Sequence, residues 1–158
     1  MSAGVPLILH GPGVPQADRG GGKISRALVS LLDVYPTLLN LAGVATEPLM
    51  ARRDGRDLLD ILHNRRAAFR EAVFAELGTA AMIRTPNWKL GFDPEQGGVQ
   101  QLFNLVGDPH ELSNLAGVAG YENVTLHLVQ QLLAHRIHLT QYTHDKEEHR
   151  VQRVRVAA

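Results

Sequence analysis

The first third of the chain carries two short apolar runs and one amphipathic stretch. Residues 5–10 read Val-Pro-Leu-Ile-Leu-His between glycines, which predicts a short strand buried on both faces. A second apolar run, residues 27–32, is also predicted as a strand. Asp33 is a favourable helix N-cap and Gly43 a natural residue to follow a helix, so residues 33–42 are predicted as an amphipathic helix. Its apolar face is predicted to comprise Leu38, Leu39, Leu41 and Ala42.

The middle of the chain alternates between polar connectors and short strand-like segments. Residues 46–56 form a polar connector, and residues 57–62 predict one or two helical turns. Thr85-Pro86-Asn87 is a turn sequence with proline in its preferred second position, which predicts a hairpin. Asp108, Pro109 and Glu111 are spaced as in a capping box, so a single helical turn ending near Asn114 is predicted. The predicted strands are residues 72–76, 81–84, 88–92 and 100–105.

The last part of the chain contains the most regular helical pattern. Residues 121–140 place apolar side chains at helical spacing and predict one long amphipathic helix. The tail after residue 144 is charged and then alternates, so residues 153–156 are either a short edge strand or part of a disordered end. The predicted apolar stripe of the long helix is Tyr121, Val124, Leu128, Leu132, Leu133 and Ile137.

The composition of the chain excludes some kinds of site and disfavours some binding partners. The 158 residues are 44% hydrophobic and 20% charged, which is enough for a globular core. Lys plus Arg and Asp plus Glu are each 16, and this balance does not favour a nucleic-acid partner. The absence of cysteine excludes disulfides, thiolate metal sites and a cysteine nucleophile. No apolar run approaches the ~20 residues of a membrane helix, no signal peptide is visible, and the compartment is left open.

Few side-chain groups form a recognisable site. The sequence Gly20-Gly21-Gly22-Lys23 superficially suggests a phosphate cradle, but it lacks the motif's glycine spacing and its Lys-Ser/Thr pair, so we interpret it as a loop. Asp54, Asp57 and Asp60 alternate with arginines, which is typical of a solvated surface.

The histidines are the other candidate. His135 and His138 lie one helical turn apart and could share a metal, with His127 two turns away. No third ligand has supporting spacing, so a solvated helix face is the favoured interpretation. His144 and His149 flank acidic residues in the tail, where exposed ion pairing explains them equally well.

The order of five segments resembles the sulfatase family. Residues 5–13, Val-Pro-Leu-Ile-Leu-His-Gly-Pro-Gly, are similar to a late strand of the sulfatase catalytic domain. Residues 29–44 and the Gly-Arg-Asp-Leu-Leu of residues 55–59 are similar to the segments that follow. Met-Ile-Arg and Trp-Lys-Leu within residues 82–90 resemble the family's Arg-x-x-x-x-Lys hairpin. Residues 102–116 match a late signature in Leu-Phe-Asn-Leu, Asp-Pro, Glu and Asn-Leu-Ala.

The resemblance implies an α+β chain. It implies the end of an alkaline-phosphatase-like α/β domain followed by a small antiparallel sheet packed with one long C-terminal helix. Residues 1–45 are then the remnant of the large domain (strand, strand, helix), residues 46–71 a connector with a short helix, and residues 72–158 a C-terminal subdomain of antiparallel strands plus helix 121–140.

The resemblance also implies a chemistry that this chain does not carry. Sulfatases use a formylglycine, made within a Cys/Ser-x-Pro-x-Arg motif, and a divalent cation that is usually calcium. Neither that motif nor the family's metal motif occurs here, so no catalytic, cofactor-binding or metal residue is predicted. Arg84 and Lys89 match family positions interpreted as structural, Trp88 is interpreted as a packing residue, and His10 is given no role.

The predicted function follows from that mismatch. The chain is expected to be the C-terminal segment of a sulfatase-like sulfuric ester hydrolase, inactive alone. The alternative is a stand-alone interaction or oligomerisation module derived from a sulfatase end, and a complete small hydrolase using the histidines is disfavoured. The expected partner is a second copy of the chain or the missing N-terminal sulfatase portion, with neither nucleic acid nor membrane.

Overall fold

The chain divides into two compact units, Met1–Val73 and Phe74–Ala158. The computed structural model describes residues 6–14, 22, 24–44, 54–63 and 69–156, with residues 141–156 described as backbone only. Among these residues, no helix combines the length and apolar character needed to cross a membrane.

The first unit is built from short helices. A 3₁₀ turn over Leu31–Asp33 leads directly into helix α1, Val34–Leu41, and helix α2 follows at Leu59–Leu62. The Ser30 hydroxyl accepts the Leu32 N–H and begins the 3₁₀ turn. Gly43 ends α1 with a φ of 69°, a left-handed conformation that glycine adopts without steric cost.

Two predictions for this unit differ from the structure. The two predicted strands are wrong, since residues 6–10 and 27–30 have no regular secondary structure and residues 31 and 32 lie in the 3₁₀ turn. A strand needs a hydrogen-bonded neighbour, and the described part of the first unit supplies none. The predicted apolar face of α1 is buried only in part, since Leu39 and Leu41 are half-buried and Leu38 is exposed, whereas Thr37 and the preceding Asp33 are buried.

The second unit contains a four-stranded sheet. Its strands are β1 (Val73–Leu77, which begins at the unit boundary), β2 (Ala80–Arg84), β3 (Trp88–Asp93) and β4 (Gly98–Asn104), in the order 1-2-3-4. Strands β2 and β3 form the predicted hairpin, in antiparallel register with Ile83 opposite Leu90. A 3₁₀ turn at Pro94–Gln96 joins β3 to β4, which also pair antiparallel.

The core of the second unit lies between β2, β3, β4 and helix α3, Glu122–Val156. Ile83, Leu90 and Leu102 are fully shielded from solvent, and α3 packs against β2 and β3. Leu128 and Leu132 are the buried residues of the predicted helix stripe. Leu133 and Ile137 are exposed, because the buried stripe passes through positions 128 and 132 and leaves these two on another side of the helix.

The long helix continues beyond its predicted end. Its backbone remains helical to Val156, so the edge strand, one of the two alternatives for residues 153–156, is wrong. A helix satisfies its hydrogen bonds within its own backbone, whereas an edge strand requires a neighbouring strand. The lysine, glutamate and arginine of residues 145–150 also have high helix propensity.

Candidate functional site

A buried ionic network surrounds Asp33 in the first unit. The Asp33 side chain is fully buried, and its carboxylate accepts the backbone N–H groups of Ser30 and Arg56 at 2.7 Å each. The guanidinium of Arg70 completes the set as an ion pair. A buried carboxylate requires such partners because its desolvation is otherwise very costly. Asp33 was predicted to cap a helix beginning at its own position, but its carboxylate instead joins three separate segments.

Thr37 and Gly55 explain how these segments come close together. The Thr37 hydroxyl donates to the Asp33 carbonyl at 2.6 Å and accepts the Leu58 N–H at 2.9 Å. A Cβ atom at Gly55 would lie 2.3 Å from the Leu32 carbonyl oxygen, closer than real Cβ contacts. The Gly-Arg-Asp segment therefore needs glycine so that its backbone can approach the turn before α1.

Two arginines close the network around one aromatic ring. Arg56 donates to the Phe69 carbonyl, and its guanidinium lies 5.9 Å from the Phe69 ring centroid. The Arg70 guanidinium lies 5.8 Å from the same centroid and also donates to the Asp54 carbonyl at 2.7 Å. With its oxygens engaged and the side chain sealed from solvent, the Asp33 carboxylate cross-links the unit and is unavailable to a substrate.

The predicted acidic group divides between different local roles. Asp57 accepts a hydrogen bond from Asn40 and, in the turn before α2, the Leu59 N–H at 2.9 Å. Asp54 contributes its backbone carbonyl to Arg70, while its carboxylate is on an exposed residue. These contacts stabilise local turns. They do not bring two carboxylates together to share a proton.

A second charged cluster lies on the sheet. Lys89 of β3 is only 5% exposed, and its ammonium group pairs with Glu111. The same ammonium lies 5.8 Å from the Phe103 ring centroid. Glu111 has a φ of 57°, an uncommon conformation for a residue with a side chain. The Lys89–Glu111 pair therefore ties the segment after β4 to the sheet.

That segment does not form the predicted helical turn. The Asp108 carboxylate accepts the Ser113 N–H at 2.8 Å, and the backbone N–H groups of Ser113 and Leu112 hold the pKa of Asp108 below its usual value. The Glu111 carboxylate binds Lys89 instead of reaching back to a capping position. A loop wrapped around Asp108 thus replaces the capping box.

Asn114 fastens this loop to β4. Its Oδ1 accepts the N–H groups of Leu102 and Ala116, at 3.0 and 3.1 Å, and its Nδ2 donates to the Gln100 carbonyl at 2.9 Å. The outer edge of β4 is consequently capped by the loop, which removes an exposed strand edge. The sequence signal was present in the Asp-Pro-x-Glu-x-x-Asn pattern, but its spacing was interpreted as helical.

The histidines of the long helix have different surroundings. The His135 ring stacks on Phe74 of β1 with centroids 3.9 Å apart, and His127 Nε2 contacts Gln131 Nε2 at 3.2 Å. His138 is exposed. Within the described ranges, no three His, Asp or Glu side chains are grouped so as to hold a metal ion.

The remaining candidates have these positions. Trp88 packs edge-on against Tyr121, with ring centroids 6.0 Å apart, and His10 is exposed. Gly20, Gly21, Lys23 and the side chains of His144 and His149 lie outside the described residues.

The residues of this chain do not fit the formylglycine and calcium that the resemblance implies. The chain contains no cysteine and no Ser-x-Pro-x-Arg sequence from which the formylglycine could be made. The buried carboxylate of Asp33 is already engaged by an arginine and two N–H groups. We therefore derive no catalytic step through either group.

Comparisons with known proteins support a relation along most of the chain. Residues 1–138 match the family described as N-sulphoglucosamine sulphohydrolase, C-terminal. The chain is 32% identical to human arylsulfatase K over 145 residues, covering 83% of this chain and 25% of that protein. It is 34% identical to choline-sulfatase of Rhizobium meliloti over 122 residues, covering 73% of this chain and 22% of that protein. The chain thus spans about a quarter of the length of these relatives.

A solved structure extends the comparison to the fold. A protein crystallised with its substrate D-glucosamine-2-N,6-O-disulfate superposes with a TM-score of 0.55 at 26% identity. The superposition covers 70% of this chain and 24% of the other.

Proposed function

This chain belongs to the sulfatase family, to the part described as N-sulphoglucosamine sulphohydrolase, C-terminal, and from that premise we propose that it completes a sulfuric ester hydrolase whose catalytic residues lie in a preceding portion. The chain lacks the formylglycine motif, so alone it is expected to be inactive. Its role is to supply the C-terminal sheet and helix and a surface that binds the catalytic portion.

The observation that carries this proposal is the inverted burial around α1. Leu31, Tyr35 and Leu38 are 72%, 45% and 56% exposed, whereas Asp33 and Thr37 are buried. The three exposed residues are spaced i, i+4 and i+7, so they form one apolar stripe. A contiguous exposed apolar stripe is a candidate site of protein contact. In the proposed enzyme the catalytic portion covers it.

The proposed substrate class is a sulfate ester, and the alcohol or sugar that carries the sulfate is not assigned. One relative is named a choline-sulfatase, and another was solved with a disulfated glucosamine as its substrate. Because these substrates differ while the C-terminal portions remain similar to this chain, the choice between them is expected to depend on other parts of each enzyme.

A chimera tests the proposal directly. The corresponding C-terminal portion of the Rhizobium meliloti choline-sulfatase would be replaced by this chain, and hydrolysis of choline sulfate would be assayed for the chimera and for the chain alone. We expect turnover by the chimera and none by the chain. Sulfate ester hydrolysis by the purified chain would refute the proposal, as would a folded chimera without turnover.

A pair of variants tests the role of the stripe. Leu38→Asp places a charge at the proposed interface and is expected to reduce the yield of folded, active chimera. Leu112→Asp alters another exposed leucine, in the second unit, and serves as the control. Equal losses in both variants would contradict an interface at α1.

The second candidate is a stand-alone oligomerisation module. The same exposed stripe supports it, because a second copy of the chain would bury it equally well. Light scattering of the purified chain separates the two: a dimer that Leu38→Asp converts to monomer would favour the module, and a monomer would favour the enzyme segment.

A further inference from the structure

Two cationic residues face each other across the β2–β3 hairpin. Arg84 and Lys89 are directly opposite in the antiparallel register. Directly opposite residues project from the same face of a sheet, with Cβ atoms about 4.5–5.5 Å apart, and like charges in this arrangement are destabilising. An anion close to both side chains would relieve that repulsion.

The described residues supply only part of the compensating charge. Lys89 is paired with Glu111 and rests on Phe103, so its position is fixed. Arg84 is half-buried, and among the described side chains no carboxylate forms an ion pair with it. The cluster of Arg84, Lys89 and Glu111 therefore has two positive charges and one negative charge, a net charge of plus one.

We propose that Arg84 and Lys89 form an oxyanion-binding site that takes a sulfate group. The planar guanidinium of Arg84 presents paired N–H donors that match two oxygens of a tetrahedral oxyanion. The ammonium of Lys89 adds a second cation already oriented by Glu111 and Phe103. The need for an anion follows from these charges, and the choice of sulfate rests on the proposed function.

Binding of free sulfate by this chain is the direct test. The chain would be titrated with sodium sulfate against sodium chloride at equal ionic strength, and binding followed by the NMR signal of the Arg84 side chain and by calorimetry. We expect saturable binding that Arg84→Gln weakens by at least about tenfold. Arg136→Gln is the matched control, because Arg136 is already paired with Glu76 in the same unit.

A second variant predicts an effect of opposite sign. Glu111→Gln removes the one carboxylate of the cluster, so sulfate should bind several-fold more tightly even if the variant is less stable. Circular dichroism would confirm that each variant is folded. Sulfate binding that is absent, or is unchanged in both Arg84→Gln and Glu111→Gln, would overturn the site.

The source of the sulfate group is distinguished by a second ligand. Glucosamine 6-sulfate binding more tightly than inorganic sulfate, with both weakened by Arg84→Gln, would indicate a sugar sulfate. Tighter binding of the inorganic ion would indicate a site for free sulfate. Either result is independent of catalysis, so an inactive chimera would leave this inference standing.

Discussion

The two units of the chain differ in how much of their buried interior is polar. The first unit encloses Asp33 and Thr37 in a network of hydrogen bonds beside the buried apolar residues Leu58, Leu59 and Phe69, and it leaves Leu31 and Leu38 exposed. The second unit places fully buried aliphatic residues of its sheet, such as Leu90, against the long helix. The first unit therefore combines a polar network with a small apolar cluster, whereas the second relies mainly on apolar burial.

Under the proposed function, this difference predicts that the first unit depends on contact with the catalytic portion. Burial of apolar surface is the dominant favourable term in folding, and the second unit obtains it from its own residues. A buried ion pair contributes little net stability, because desolvation offsets most of the attraction. The first unit is expected to gain its stability when its apolar stripe is covered.

The largest expected effect is in the first unit. Asp33→Asn removes the charge that neutralises Arg70, and breaking one side of a buried pair costs about 3–5 kcal/mol. Hydrogen exchange of the α1 amides should accelerate strongly while that of β2 and β3 is unchanged. Asp54→Asn is the control, since only the backbone carbonyl of Asp54 contacts Arg70. Equal acceleration in both units would contradict the separation drawn between them.

The next effect is in the second unit. Leu90→Ala truncates a fully buried residue between the sheet and α3, and such changes cost about 2–5 kcal/mol. Urea unfolding followed by the fluorescence of Trp88 should show the loss. Leu77→Ala removes the same atoms from an exposed position and should change stability very little. A small effect at Leu90 would mean that the second unit lacks the compact core described for it.

The smallest expected effect is a pH dependence of stability in the second unit, which arises from Asp108. The folded-state pKa of Asp108 is lowered by backbone N–H groups, chiefly that of Ser113. Its ionised form therefore stabilises the loop at pH values above the unfolded carboxyl pKa of about 3.9, and this contribution is lost as pH falls through the lower folded value.

Two variants test whether the Asp108 carboxylate causes this pH dependence. Asp108→Asn should weaken the pH dependence of the urea midpoint in this acidic range. Leu77→Ala, which alters an exposed side chain without a titratable group, should leave this pH dependence unchanged. Identical acid profiles for wild type and Asp108→Asn would show that the loop does not depend on this carboxylate.

Local patterns predicted the second unit better than the first. The hairpin around Pro86, the strands beside it and the start of the long helix follow from turn chemistry and periodicity, which act between residues close in sequence. The roles of Asp33 and Glu111 were missed, because each depends on a cation far along the chain: Arg70 for Asp33 and Lys89 for Glu111. A carboxylate in a helix-cap pattern can either cap the helix or bind a distant cation, and the local sequence does not distinguish these two roles.

The sequence by itself determined the family resemblance, the hairpin, the long helix and the absence of the sulfatase catalytic motif, since each is a property of residues in order along the chain. Tertiary structure decided which face of α1 is buried and how the segment after β4 folds. It also brought Arg84 and Lys89 into register and paired Lys89 with Glu111. The physical reason is that burial and charge pairing depend on distances in space, which periodicity and spacing along the chain do not specify.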